Sequence, residues 1–210
     1  MNTSTYRSVL VAWVAAVSLC LAPAAMAMKL QRQNLTQLIA GAESILSGTV
    51  KSVTDGIDDA GVPYTEVTIA VHSVAKGKMK EKEDYTFRQF GLLKPRTMAN
   101  GHKLLAVSPE GFPRWHEGET VVAFMYKPAS RTGLQTTAGM GQGKFNLVNS
   151  RLINEYDNAG LFEGMEIDSG LLNPAEQNMI KNPGAVDAQV FMELVDRAVA
   201  ENWLGTGEMR

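Results

Sequence analysis

The chain has 210 residues, 45% of them hydrophobic, with a formal net charge of −2 at pH 7 and one cysteine. A chain of this length can bury the core of one ordinary domain, and a single cysteine excludes a disulfide framework within it. The nearly balanced charge, without a long basic run, makes a nucleic-acid partner unexpected.

The first segment has the three parts of a secretory signal peptide. Arg7 supplies a positive charge, the apolar run SVLVAWVAAVSLCLAPAAMA follows it, and Ala25 and Ala27 form a small-x-small cleavage site. We therefore predict a signal peptide over residues 1–27, cleavage after Ala27, and a periplasmic or secreted bacterial product.

Two alternatives stay open for this segment. An uncleaved membrane anchor needs about 20 apolar residues, and Pro23 interrupts the run. Lipid attachment at Cys20 usually follows a small residue, whereas Leu19 precedes it here. Cleavage would leave no cysteine nucleophile or thiolate ligand, and membrane contact is then expected only through the signal segment before it is cut.

The following segments predict a mainly β structure with a short helix in front. Asn34 and Gln37 have the spacing of a capping-box variant, so a short helix is expected to about Gly41. From Ser44 the pattern alternates as in a strand, and Gly48 inside that strand predicts a bend or bulge.

Further strands are predicted from alternation and from apolar runs. YTEVTIAVHSVAKG and DYTFRQFG alternate, whereas TVVAFMY is apolar on both faces and predicts a central, covered strand. GLQTTAGMGQGKFNLVN predicts two short strands joined or kinked in the glycine-rich middle. Strands at this spacing favour a small barrel or sandwich over residues 28–150.

The C-terminal extension, residues 151–210, is predicted to be helical in two places, about 174–181 and 187–203. Asn173 and Pro174 have the residue types of a helix start. The second helix is amphipathic, and Glu193 and Arg197 have the spacing of an ion pair on its polar side. We expect it to cap the β domain or to dock on a partner.

The stretch AGMGQGKF does not fit a phosphate-binding loop. Lys144 is followed by Phe145 where Ser or Thr is required, and the glycine spacing differs from the dinucleotide fingerprint. No nucleotide and no other cofactor is therefore predicted. The alternate glycines are interpreted as a sharp strand bend, so Gly141→Val is expected to destabilise the domain without changing any nucleotide affinity.

No catalytic or metal-binding constellation is visible in the sequence. His72, His102 and His116 lack the spacing of metal ligands, and the acidic loop DGIDD is interpreted as a solvated turn. A hydrolase site assembled across the fold stays open. It would place a serine or carboxylate within hydrogen-bonding reach of one of these histidines in a cleft.

The remaining candidate is a binding surface formed by Phe112, Arg114, Trp115 and His116 in GFPRWHEGE. Aromatic and arginine side chains are enriched in binding hot spots. The alternative is that Phe112 and Trp115 turn inward and anchor the loop.

Several of these pieces, in order, resemble the netrin-like or TIMP-like branch of the OB-fold. They are the helix leading into AESILSGTV, the strand that ends in Lys76-Gly77, and GET entering VVAFMY. The chain also resembles a broad set of uncharacterised secreted bacterial proteins with the same segment order and a GQGKF-like element. The resemblance covers about residues 34–149.

This resemblance implies a five-stranded Greek-key barrel and a role in protein binding. It does not imply inhibition of the TIMP type, which needs an N-terminal cysteine that the predicted mature chain lacks. We therefore expect an exported, non-enzymatic domain that binds a protein, a peptide or an envelope component. An exported hydrolase and a structural envelope protein held by its C-terminal helix are the alternatives.

Overall fold

The computed structural model describes residues 31–98, 100–168, 170–182 and 184–210. The predicted signal peptide, its cleavage site and Cys20 lie outside the described residues. Within these ranges, every helix is too short or too polar to cross a bilayer.

The described residues are mainly β. They form nine strands: β1 Ser44–Ile57, β2 Pro63–Lys76, β3 Asp84–Phe90, β4 Arg96–Thr97, β5 Lys103–Leu104, β6 Thr120–Met125, β7 Lys144–Val148, β8 Arg151–Asn154 and β9 Val186–Asp187. Seven of them make one antiparallel sheet in the order β3-β2-β1-β6-β7-β8-β9, and β4 pairs with β5 alone.

The same part of the chain contains four helices, α1 Leu35–Gly41, α2 Pro174–Lys181, α3 Ala188–Ala200 and α4 Trp203–Thr206, and a 3-10 turn, Met140–Gly143. Both α1 and α2 begin with a complete capping box, formed by Asn34 with Gln37 and by Asn173 with Glu176. These reciprocal hydrogen bonds satisfy backbone donors that a helix start leaves unpaired, which is why the helices begin where the sequence predicts.

β1 carries the irregularity expected at Gly48. The pairing with β2 shifts register between Ser47 and Gly48. A Cβ atom at Gly48 would lie 2.4 Å from the carbonyl oxygen of Ala70, so only glycine allows the two strands to approach this closely.

β6 is buried on both faces, as its apolar sequence predicts. Val121, Ala123 and Met125 point into one hydrophobic cluster, on the side of β2 and β3. Val122 and Phe124 point into the other, where the helices pack. Alternation along the strand therefore distributes its side chains between two cores.

α3 packs on the sheet of its own chain. Phe191, Leu194, Val195 and Ala198 of its apolar stripe are buried, and the Phe191 ring lies 5.3 Å from Phe145 and 6.3 Å from Phe124. This decides between the two expectations for the helix, because the stripe that a partner would need is already covered.

The ion pair predicted between Glu193 and Arg197 is wrong. Arg197 binds Glu176 on α2 instead, at 2.6 Å to each carboxylate oxygen, while Glu193 accepts a hydrogen bond from Gln189 at 2.9 Å. α2 lies beside α3 and presents a completely buried carboxylate, which needs a cation more than the exposed Glu193 does.

The described strands do not close into a barrel, unlike the fold that the resemblance implied. The sheet ends at β3 and β9. Residues 134–138 bridge β3 and β6 through separate hydrogen bonds, from Gln135 N to Arg88 O at 2.7 Å and from Ala138 N to Phe124 O at 2.6 Å. Gly139, with φ +62°, then turns the chain into the 3-10 turn, so this segment and β7 do not form one continuous strand.

Candidate functional site

One interpretation of the sequence placed Trp115 on an exposed binding surface. The structure instead buries this side chain. Only 5% of the residue is exposed, its ring lies 5.3 Å from that of Phe87, and its Nε1 donates to Gln89 Oε1 at 3.3 Å. It anchors the loop inward because an indole gains most from burial when its N–H has a partner.

The other three predicted residues lie nearer the solvent. Phe112 is half-buried, whereas Arg114 and His116 are exposed. The loop therefore alternates, with Pro113 and Trp115 inward and Arg114 and His116 outward. Two of the four predicted side chains, Arg114 and His116, are free to meet a ligand.

These two side chains border a cavity of about 630 Å³. Its walls are mostly apolar, and its volume lies within the range of small-ligand sites. Three parts of the chain line it: the ends of β1 to β3, the base of the β4–β5 hairpin and the loop before β6. The lining residues are Val53, Thr65, Gln89, Phe90, Gly91, Leu92, Leu93, Ala106, Val107, Ser108, Pro113, Arg114, Trp115, His116 and Glu117.

Gln89 fixes the loop to the sheet from inside the cavity. Its Nε2 donates to Pro113 O at 3.0 Å, and its Oε1 accepts from Trp115 Nε1 and from Thr136 Oγ1, both at 3.3 Å. Gln89 and the neighbouring Thr65 are 5% and 6% exposed, so they give the mostly apolar cavity a buried polar side.

Lys144 holds the same loop at a second point. It is 2% exposed, and its Nζ donates to Arg114 O at 2.5 Å and to Glu119 Oε2 at 2.6 Å. The ammonium group also lies 5.0 Å from the centre of the Trp115 ring, within cation–π range. Lys144, which follows the glycines, is therefore a buried cation that fixes the loop forming one wall of the cavity.

Sequence reasoning missed this role of Lys144. The available signal was a lysine at the start of KFNLV, an otherwise strand-like segment, which places a cation where β7 enters the sheet. A buried cation requires a counter-charge. Nothing in the spacing identifies Glu119, which lies 25 positions away, as that partner.

Glu119 contacts both Lys144 and His116 through its carboxylate. Burial acts to raise the pKa of its carboxyl group, but hydrogen bonds from Lys144 and His116 outweigh burial, so the pKa is lower than usual. The ring Nδ1 of His116 lies 2.8 Å from Glu119 Oε1. Glu119 is therefore ionised at neutral pH and accepts from two side chains at once.

Asp55 positions the β4–β5 hairpin next to the cavity. Its carboxylate accepts from Leu93 N at 2.7 Å, from Lys94 N at 3.0 Å and from Arg96. Burial raises the pKa of Asp55, but these hydrogen bonds together bring it below its ordinary value. The solvated turn predicted for DGIDD is thus wrong at Asp55, since 7% of that side chain is exposed.

The three histidines lie apart in the fold. His72 Nε2 is 3.3 Å from Thr49 Oγ1 on an exposed sheet surface, and His102 is exposed in the β4–β5 turn. Of the three, His116 borders the cavity described above and contacts a carboxylate. Within the described ranges, no His, Cys, Asp and Glu side chains form a group of three that would hold a metal ion.

The described residues place no hydroxyl group where His116 could activate it. Among the described residues, the ring of His116 makes its hydrogen bond to Glu119, and no serine or threonine hydroxyl reaches it. Within the described residues, the site therefore places a histidine beside a carboxylate, with no hydroxyl group bonded to that histidine.

Comparison of the chain with protein-family models, with curated proteins and with solved structures gives no match in any of the three.

Proposed function

We propose that this chain is an exported, non-enzymatic binding domain that receives an apolar group of a protein, a peptide or an envelope component. The observation that carries the proposal is the cavity of about 630 Å³, with apolar walls and the buried polar side formed by Thr65 and Gln89. Such cavities bind through apolar contact and use a few polar groups to orient the ligand.

The wall of the cavity is held in place before any ligand arrives. Gln89 and Lys144 fix the loop that carries Arg114 and His116, and Asp55 fixes the hairpin opposite. A preformed site loses little conformational entropy on binding, which favours recognition by a non-enzymatic domain.

The experiment fills the cavity from its rim. Ala106 is exposed and lines the cavity, so Ala106→Phe should block it without disturbing the core. Ala200→Phe, at an exposed position at the end of α3, is the matched control. Wild type and both variants, produced from the full chain, are used to recover partners from an envelope extract.

A true partner is recovered by wild type and by Ala200→Phe but is lost with Ala106→Phe. Arg114→Ala should weaken the same partner, since this exposed side chain borders the cavity. Equal recovery of every partner by all variants would remove the cavity from consideration. Trp115 is unsuitable for this test because its replacement would disturb a buried side chain.

A hydrolase is the second candidate, favoured by the 2.8 Å contact between His116 and Glu119 at the cavity. This contact meets the geometric condition expected of a base and its orienting carboxylate. Under our proposal, purified protein does not cleave p-nitrophenyl esters or a casein substrate. Turnover that His116→Gln abolishes would instead establish the enzyme.

Export and cleavage after Ala27 belong to the same proposal. They are supported by the order of charge, apolar run and small residues in the first 27 positions. Protein recovered from the producing bacterium should begin at Met28 on N-terminal sequencing. A chain that begins at Met1, or a lipid on Cys20, would support one of the alternatives.

We also propose that the β domain is a distorted OB-like sheet of the netrin-like or TIMP-like type. Support comes from β1, which pairs with both β2 and β6, and from residues 134–138, which bond to β3 and β6 as a fifth, closing segment would. An experimental structure in which these residues stand apart from β3 would remove this support.

A further inference from the structure

The hairpin arm, residues 92–107 with β4 and β5 at its centre, carries an unbalanced positive charge. It contains Lys94, Arg96 and Lys103 and no acidic residue. Arg96 is paired with Asp55. Lys94 and Lys103 are exposed and, among the described residues, take part in no salt bridge.

The same arm exposes large apolar side chains. Leu105 is 75% exposed, Leu93 50% and Val107 41%. Leu93 and Val107 also line the cavity, so Leu105 is the most exposed of the three and the one that lies outside it.

Lys103 and Leu105 lie on the outer face of the arm. Arg96 turns toward Asp55 and is the register partner of Leu104, so this pair faces the domain. Neighbouring residues of a strand point to opposite faces. Lys103 and Leu105, on either side of Leu104, therefore point away from the domain, as their exposure requires.

We propose that the hairpin arm docks on an anionic lipid surface. Leucine side chains that project from a narrow arm can enter the headgroup region of a bilayer, while adjacent lysines contact lipid phosphates. The unpaired positive charge of the arm is complementary to that surface. The contact goes beyond the expectation that the chain meets a membrane only through its signal segment.

This inference does not depend on the proposed cavity ligand. Lys103 and Leu105 do not line the cavity, so substitutions there test the arm alone. Two residues elsewhere provide matched controls: Lys78 is exposed in the turn between β2 and β3, and Leu147 is 38% exposed on β7.

The test is co-sedimentation of protein produced from the full chain with two kinds of vesicle, phosphatidylcholine alone and an equal mixture of phosphatidylcholine and phosphatidylglycerol. Wild type is expected to bind the anionic vesicles preferentially, and rising salt should release it. Lys103→Glu is expected to weaken binding at least about fivefold, and Leu105→Ser severalfold. Lys78→Glu and Leu147→Ser should bind like wild type.

Several outcomes would overturn the inference. They are equal binding to both kinds of vesicle, no binding to either, or the same loss with Lys78→Glu as with Lys103→Glu. Binding of wild type to a poly-glutamate peptide without binding to anionic vesicles would assign the arm to an acidic protein partner instead. The salt dependence of wild type needs no variant and keeps the test valid if a substitution disturbs folding.

Discussion

At the residue scale, the glycine-rich stretch and Lys144 form one structural device. Gly143 leads directly into Lys144, whose buried ammonium group binds Arg114 O and Glu119. The 3-10 turn ends at Gly143, and the chain enters β7 at Lys144, whose side chain contacts the loop that carries Arg114. What looks like a phosphate-binding pattern in the sequence thus holds a protein carbonyl and a carboxylate.

The first prediction compares the stability cost of alanine at Gly141 and at Gly143, the two glycines within the 3-10 turn. A Cβ atom at Gly143 would lie 2.1 Å from the carbonyl oxygen of Ala138, which is backbone and cannot move freely. Gly143→Ala should reduce the free energy of unfolding by about 1–3 kcal/mol. At Gly141 the nearest atom, 2.9 Å away, belongs to the side chain of Glu155, so Gly141→Ala should cost under about 1 kcal/mol.

Urea unfolding of the two alanine variants measures this difference. A larger loss at Gly141 than at Gly143 would contradict the assignment. The expectation that Gly141→Val destabilises the domain still stands, since the longer side chain must also displace Tyr156, 3.2 Å from the added Cβ.

The second prediction concerns the charge on Glu119. Because folding lowers the pKa of this carboxyl group, its contribution to stability is complete above its ordinary pKa near 4.5 and is lost as pH falls through the lower folded value. Glu119→Gln leaves Lys144 buried without a counter-charge and should cost about 1–3 kcal/mol at pH 7.

Thermal unfolding between pH 3 and pH 7 tests this pH dependence. The difference between wild type and Glu119→Gln should shrink on acidification, because the wild-type carboxylate is then protonated as well. Adding Lys144→Met to Glu119→Gln should restore part of the stability, since the uncompensated ammonium group is gone. A difference that is constant with pH would contradict the role of Glu119.

At the scale of elements, α2 and α3 are joined by a polar contact between Glu176 and Arg197. Glu176 is completely buried, caps its own helix through Asn173 N at 2.8 Å, and also accepts from Arg197 on α3. The same carboxylate thus closes a capping box and neutralises a cation on the neighbouring helix. The start of α2 and the position of α3 are coupled through it.

The third prediction distinguishes this contact from the pair expected within α3. Arg197→Met should reduce stability by about 3–5 kcal/mol, because it leaves the buried carboxylate of Glu176 unpaired. Glu193→Ala, at an exposed position, should change stability by less than about 0.5 kcal/mol. Chemical denaturation of both variants gives the two values, and similar losses would contradict the structure.

At the scale of the whole molecule, the central strand of the sheet joins two cores. Phe124 of β6 faces Phe145 and Phe191, while its neighbours Ala123 and Met125 face the cluster around Phe87. The helical extension is thus as much a part of the folded unit as the strands are.

The fourth prediction tests whether the two cores unfold together. Phe191→Ala should cost about 3–5 kcal/mol, as expected for a large buried aromatic side chain. Tryptophan fluorescence and far-ultraviolet circular dichroism should report the same single transition in this variant. Two separate transitions would mean that the C-terminal helices fold independently of the sheet.

Local features of this protein were predictable from the sequence because local interactions create them. Asn34 and Asn173 sit at their helix starts through hydrogen bonds to residues three positions on, and Gly48 marks a bulge that only a residue without a side chain permits. The alternation in β2 and the apolar run in β6 likewise predicted which faces are covered.

The candidate site was predictable only in part, because its contacts join distant segments. The sequence identified the loop around Trp115 but left open whether the indole points inward, which depends on Gln89, 26 positions earlier. Neither the cavity nor the arm beside it has a local signature. Both arise where the ends of several strands meet.

The sequence by itself determined the helix starts at Asn34 and Asn173, the alternating strands and the irregularity at Gly48, since capping, alternation and glycine spacing act over a few residues. It did not predict β8 and β9, which the C-terminal extension adds to the sheet. Only the tertiary structure decided which charges pair and which aromatic side chains are buried. Arg197 pairs with Glu176 and not with Glu193, and Lys144 pairs with Glu119. Burial removes the water that would stabilise a charge, so a buried charge needs an opposite charge that the fold brings close to it.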